Sequence, residues 1–159
     1  MAGGWLGLRI ETNATPQAWP MLLQVSQLYL SYEVLFYFGH RFLHLPGIYG
    51  RFHKQHHQTF GSVGISGQYA SVPDFAVMTF VPVMLAAVSF DVHLSALWLF
   101  SIIGSLNSIH SHGCYEFPLF PSTKDHSLHH EKLDCNYGTG ILDALLGTAY
   151  HDQPEHHDR

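Results

Sequence analysis

Charge is scarce in this chain. Asp, Glu, Lys and Arg make up 12% of its 159 residues, against 47% hydrophobic and 14% aromatic, too little charge to cover an ordinary soluble surface. The shortage points to a membrane protein. Basic residues are scarcer still: seven Lys and Arg are scattered along the chain and the formal net charge is -5, which excludes a nucleic-acid partner. Only two cysteines occur, Cys114 and Cys135. They make neither a CxxC pair nor a disulfide framework, so no structural zinc knuckle is expected and both read as packing residues. The opening Met1-Ala-Gly-Gly-Trp5 lacks a basic stretch followed by an apolar core, so no cleavable signal peptide is expected. No internal repeat or low-complexity tract is visible. HExxH, the zinc-protease arrangement, is missing, and so are the ExxH pairs of carboxylate-bridged di-iron bundles.

What the chain does have is long apolar runs. The first, Ala18 to Phe38, is close to the roughly 20 residues that cross a hydrocarbon core. It carries Gln24, Gln27 and Glu33, which must face other helices or a functional site, so Glu33 is a candidate to support such a site. Phe75 to Phe90 and Val92 to Ile109 are interrupted only by Asp91 and read as a helical hairpin, with Pro82 expected to kink its first arm. The expectation is an all-α integral membrane protein of about three spans, with residues 1–17 as an N-terminal segment, 18–148 as the membrane domain and 149–159 as a polar tail. Three spans place residues 39–72 and everything after His110 on one side. Six of the seven basic residues, Arg41, Arg51, Lys54, Lys124, Lys132 and Arg159, fall there, with Arg9 the exception, which assigns that side to the cytosol. His93, beyond the hairpin tip, falls on the far side as a bystander. Asn13-Ala-Thr15 is a glycosylation triplet followed by Pro16 and is read as coincidence. His151, His156 and His157 are read as solvated tail residues.

Histidine is the other abundance. The fourteen histidines include three clusters, His40 and His44, then His53, His56 and His57, then His126, His129 and His130, with His110 and His112 just upstream of the third. Spacings of three and four residues put side chains on one helix face, so each cluster can aim two or three imidazoles at a single point. Neutral imidazoles suit Fe, Zn, Cu or Ni rather than Mg or Ca, and eight of them suit a two-metal centre. Beside a membrane, the reaction that calls for two redox metals is oxidation of an unactivated C–H bond of a lipid by O2. A non-catalytic metal-binding membrane protein is the alternative; a metal transporter would want its ionisable groups inside the spans.

The boxes and their surroundings carry a resemblance. Gly39-His-Arg-Phe-Leu-His44, Tyr49 ahead of the second box, His112-Gly-Cys-Tyr-Glu-Phe-Pro118, His126-Ser-Leu-His-His-Glu131, Asn136-Tyr-Gly138 and Leu142-Asp-Ala-Leu-Leu-Gly-Thr148 together resemble the fatty acid hydroxylase and sterol desaturase superfamily of membrane di-iron oxygenases. The likeness runs from about residue 37 to 148 and looks nearest to the sterol C4-methyl oxidase branch. It implies that His40, His44, His53, His56, His57, His112, His126, His129 and His130 bind two irons, with zinc able to replace them in isolated protein. His110 has no clear match and stays a further candidate, while Asn136 and Asp143 are expected to orient imidazoles and cap helices. The resemblance also implies O2 as co-substrate and electrons from NAD(P)H through a reductase or cytochrome b5. Because His44-Leu-Pro-Gly47 is not the haem-binding HPGG, that donor is expected to be a separate protein. The implied location is the endoplasmic reticulum with the boxes facing the cytosol, a plastid membrane being the other option. Family members usually carry four spans as two hairpins, whereas one apolar run precedes the first box here.

Overall fold

The computed structural model describes residues 17–59, 63–113 and 115–151. Arg9, the 13–15 triplet, Cys114, His156, His157 and Arg159 lie outside them. Every regular element among the described residues is helical. Helix α1 spans Ala18–Leu43, longer than the expected run because the first histidine box continues the same helix. No glycine interrupts it before Gly39, where the absence of a side chain is used: a Cβ there would sit 3.2 Å from Val77 Cγ1. Short helix α2 (Tyr49–Phe52) and two 3-10 turns, His56–Gln58 and Gly64–Gln68, carry the second box and the return towards the apolar hairpin.

The hairpin's first arm is a continuous helical rod made of α3 (Val72–Phe75), a π turn (Ala76–Phe80) and α4 (Val81–Ser89). Ser71 caps it by accepting from Asp74 N–H, the usual first-turn satisfaction of an orphan donor. A kink is expected at Pro82; the π turn lies just before that proline. Proline offers no N–H to the carbonyl four residues earlier, which is Met78 O, and Tyr32 Oη of α1 donates to it at 3.1 Å instead. Asp91 makes the turn with φ 48°, and α5 (Leu94–Ser111) returns, starting from His93, whose ring accepts Ser95 N–H. Helix α6 (Thr123–Lys132) carries the third box and α7 (Ile141–Leu146) closes the described structure.

Helices α1, α4 and α5 pack together around Leu28, Ala86, Ala87, Val92, Ala96 and Phe100. The alanines let the backbones approach closely, as small residues do between membrane helices, and Tyr32 packs edge-on against Phe100 with ring centroids 5.6 Å apart. Gln24, polar within an apolar run, faces inwards and accepts His93 N–H at 3.0 Å. The outer faces stay apolar and exposed, with Leu22, Leu30 and Phe38 on α1, Leu85 and Val88 on α4, and Trp98, Ile102 and Leu106 on α5. By length and composition, one described helix is apolar enough to cross a membrane, Val72–Ser89, with a mean hydropathy of 1.7. Helices α1 and α5 are long enough, at 26 and 18 residues, but their Gln, Ser, Asn and His residues lower their apolarity.

Candidate metal centre

The histidines gather where α1 and α5 end and the rod beginning at Val72 starts. His40 lies in the last turn of α1, His44 is its C-cap residue, and His112 is the C-cap residue of α5. His93 caps the opposite end of α5, roughly 27 Å away along a helix rising 1.5 Å per residue.

The eight box histidines and His112 converge, but in two groups. His40, His44, His53, His57 and His129 form one, and His56, His112, His126 and His130 the other, each with its candidate ligand atoms within 4.8 Å of one another. The second and third boxes each send two imidazoles to one group, His53 with His57 and His126 with His130, and their third to the other. In α6, His126 and His130 are one turn apart and share a face, while His129 is turned towards the other group. In the second box, His53 follows the end of α2 and His57 lies in the 3-10 turn, so the backbone is not one helix. There His56 departs from its neighbours. The groups adjoin, since the His57 and His130 rings lie 4.3 Å apart.

Hydrogen bonds at the far side of four rings decide what each presents inwards. His40 Nδ1 donates to Tyr137 O at 2.6 Å, His129 Nδ1 to Cys135 O at 2.7 Å, His112 Nδ1 to Ser108 O at 2.9 Å and His53 Nδ1 to Asp74 Oδ2 at 2.9 Å. A carbonyl or carboxylate oxygen only accepts, so the ring proton sits on Nδ1 and a neutral ring turns a bare lone pair inwards at Nε2. The lone pairs of His40 and His53 face one another, Nε2 to Nε2 at 3.0 Å, and that of His112 faces His126 Nε2 at 2.9 Å. Buried His129 Nε2 has no partner. Converging lone pairs repel without a cation between them, so these donors fit transition-metal ions well.

Burial acts in the same direction. Removal from water, reinforced by neighbouring imidazoles, lowers the pKa of His44 and His56 to about 2 and of His130 to about 3. Burial also takes His129 down to about 4. His57 and His126 are held well below the usual imidazole range for the same first reason, and burial lowers His112 too. Neutral imidazole, the ligand form, is thus the resting state.

Asn136 and Asp143, expected to orient imidazoles and cap helices, hydrogen-bond to backbone. Asp143 Oδ1 accepts Tyr137 N–H and its Oδ2 accepts Gly138 N–H, both at 2.7 Å, which aims Tyr137 O at His40. Asn136, at φ 52°, donates from Nδ2 to Asp125 O and accepts Tyr150 N–H, tying the loop to α6. Glu33 Oε1 accepts Thr139 N–H at 3.2 Å, while its buried Oε2 has no partner. Gly138 is where glycine matters, because a Cβ would stand 3.0 Å from Glu33 Oε1 and 3.2 Å from Asp143 Oδ2. His110 joins neither group. Its Nε2 accepts Phe117 N–H at 3.0 Å and its ring stacks on Phe120, 5.1 Å between centroids.

Sequence reasoning missed Asp74, buried at 2% exposure behind His53. The available signal was Ser71-Val-Pro-Asp74, a helix-start pattern at the edge of an apolar run. It also missed that Cys135 and Tyr137 contribute through their carbonyls, which no residue type reveals. From the histidines a cavity of about 540 Å³ runs between the helices, lined by Tyr32, Phe36 and His40 along α1, Met78 and Val83 on the rod, and Phe100 on α5.

The fatty acid hydroxylase family profile matches residues 25–148. The chain is 36% identical over 128 residues to fatty acid hydroxylase domain-containing protein 2 of Homo sapiens, covering 80% of this chain and 38% of that protein. It is 30% identical over 149 residues to a methylsterol monooxygenase of Aspergillus fumigatus, covering 85% of this chain and 50% of that one. A very-long-chain aldehyde decarbonylase of Oryza sativa subsp. indica is 29% identical over 157 residues, 91% of this chain and 58% of the relative. The chain thus spans between about two-fifths and three-fifths of the length of these relatives. No solved structure matches. A family match over most of the chain, falling on the same segment that brings the histidines together, leads to one conclusion: the chain belongs to the fatty acid hydroxylase family.

Proposed function

We propose that this chain carries the metal-bearing core of a membrane oxygenase that oxidises a C–H bond of a sterol or fatty-acyl lipid with O2. The observation that carries this reading is the cavity: it follows α1 from Tyr32 to His40 and α5 from Phe100 to His112, so an apolar chamber leads directly to both histidine groups. Its volume, about 540 Å³, suits a lipid chain or ring system. The names of the relatives, a methylsterol monooxygenase and a fatty acid hydroxylase domain-containing protein among them, support lipid oxidation.

In this reading the nine histidines hold two irons, five on one and four on the other. Bound iron would supply what no side chain can, the reduction of O2 and the oxidation of an unactivated C–H bond. The chain's own residues do the rest. Tyr137, Cys135 and Ser108 carbonyls and the Asp74 carboxylate fix the ring tautomers, and Phe36, Met78 and Phe100 hold the lipid while keeping water away. Electrons come from NAD(P)H through cytochrome b5 or a reductase.

Residues 18–148 form the membrane domain, with α1, the 72–89 rod and α5 as three spans. The exposed apolar faces of all three support this, and the five described basic residues, Arg41, Arg51, Lys54, Lys124 and Lys132, lie at the histidine end, as a cytosolic face requires. The endoplasmic reticulum is the proposed location. The test is isotope-labelled O2 given to iron-loaded protein with an electron donor and a sterol and acyl-lipid panel. Label in a lipid hydroxyl, lost in His130→Ala, is expected. Bound metal with no reductant-dependent O2 uptake across the panel would overturn the reading in favour of a non-catalytic metal protein.

A further inference from the structure

Four imidazoles are oriented through Nδ1, and their partners are not equivalent. His40, His129 and His112 donate to neutral backbone carbonyls, whereas His53 donates to the carboxylate of Asp74 at 2.9 Å. Among the described residues, Asp74 is the one carboxylate hydrogen-bonded to a histidine of either group. It is also built in place. Ser71 Oγ donates to Phe52 O at 2.6 Å and accepts Asp74 N–H at 3.3 Å, closing a ring of contacts between the start of the apolar rod and the residue just before His53. The pair is deeply buried, 1% and 2% exposed, and among the described residues no Lys or Arg lies within ion-pair reach of Asp74. A carboxylate so placed lacks an offsetting cation, and a dication beyond His53 would provide one.

We propose that Asp74 is a positioning residue that acts through His53 to make the five-histidine group the tighter of the two metal sites. The inference rests on the two-metal reading above. A carboxylate accepting the ring proton makes the opposite nitrogen more electron-rich and locks its direction, and losing such a partner typically weakens metal affinity about 10- to 100-fold. A carbonyl does the second without the full first. Among the described residues the four-histidine group has no carboxylate partner of this kind.

The test is Co(II) titration of the purified full chain in detergent, followed by the visible absorption of the bound ion and by metal analysis. Wild-type protein should take up two ions. Asp74→Asn keeps an acceptor of nearly the same shape and removes the charge, so one binding step should weaken about 10- to 100-fold while the other stays within about threefold. Asp74→Glu should restore most of the loss. In a His126→Ala background, which cripples the four-histidine group, Asp74→Asn should weaken the remaining ion; in a His44→Ala background it should not. Far-UV circular dichroism confirms that each variant is folded, and if a background variant is not, the two-step titration of Asp74→Asn alone decides. Two unaltered steps, or equal weakening of both, would overturn the proposal while leaving two metals in place. Wild-type uptake of fewer than two ions would instead overturn the two-metal reading and this inference with it.

Discussion

His40 Nε2 and His53 Nε2 face each other at 3.0 Å, from rings whose Nδ1 protons are already given to Tyr137 O and to Asp74. Two bare lone pairs at that distance repel, and a cation between them would relieve the repulsion. The relationship joins the end of α1 to the second box, and it depends on a loop, residues 133–140, that contains no histidine.

That loop is the first place to perturb the site without touching a ligand. Asp143→Ala should leave Tyr137 and Gly138 N–H groups without acceptors, at about 1–3 kcal/mol for each buried donor, and should let His40 swing. Thermal unfolding and metal content should fall together. Gly138→Ala should do the same by forcing a Cβ against Glu33 and Asp143. Unchanged metal content in a destabilised Asp143→Ala protein would separate the loop from the site.

A second prediction concerns the π turn. Tyr32→Phe removes the donor to Met78 O and should cost about 1–3 kcal/mol. Pro82→Ala restores an N–H four residues after that carbonyl, so the double variant should recover much of the loss. A double-mutant cycle on unfolding checks it, and strict additivity would count against the link.

The third prediction is a pH dependence of the metal-free protein. Unfolded histidines take up protons below about pH 6.5, whereas folded His129 and His130 do so only near about 4 and 3 because burial disfavours the charged ring. Stability is therefore complete above pH 6.5 and is lost as pH falls towards 4, His129 alone accounting for about 3 kcal/mol at most. Unfolding midpoints measured between pH 7.5 and 4 should drop steadily. A flat profile would mean that these rings are solvated.

The fourth prediction is topological. Single-cysteine tags near Asp91 should react with an impermeant reagent only from the exoplasmic side, and tags at Thr59 and Thr123 only from the cytosolic side. Asp91 reacting from the side of Thr59 would remove the three-span arrangement.

Much of this was legible in the sequence. The helical class, the convergence of the eight box histidines and the distance of His93 from them followed from spacing and apolar runs, because helix period and burial act locally, while His112 was named through the family resemblance. The sorting of histidines into five and four did not. Boxes two and three share the HxxHH spacing, yet only α6 is a continuous helix, and where a ring points depends on how α2 ends. Asp74 was illegible for another reason: its partner His53 lies 21 residues away, a distance that only the folded return of the 64–71 segment closes. The fate of His110 likewise turned on Phe117 and Phe120, which pattern alone could not place beside it.

The most direct test of the central claim is the metal stoichiometry of folded, purified protein, with His129→Ala and His56→Ala as one probe in each group. About two transition-metal ions per chain are expected, with each variant losing one and X-ray absorption showing nitrogen ligation throughout. One ion or none in folded wild-type protein, or two ions that survive both substitutions, would contradict the account.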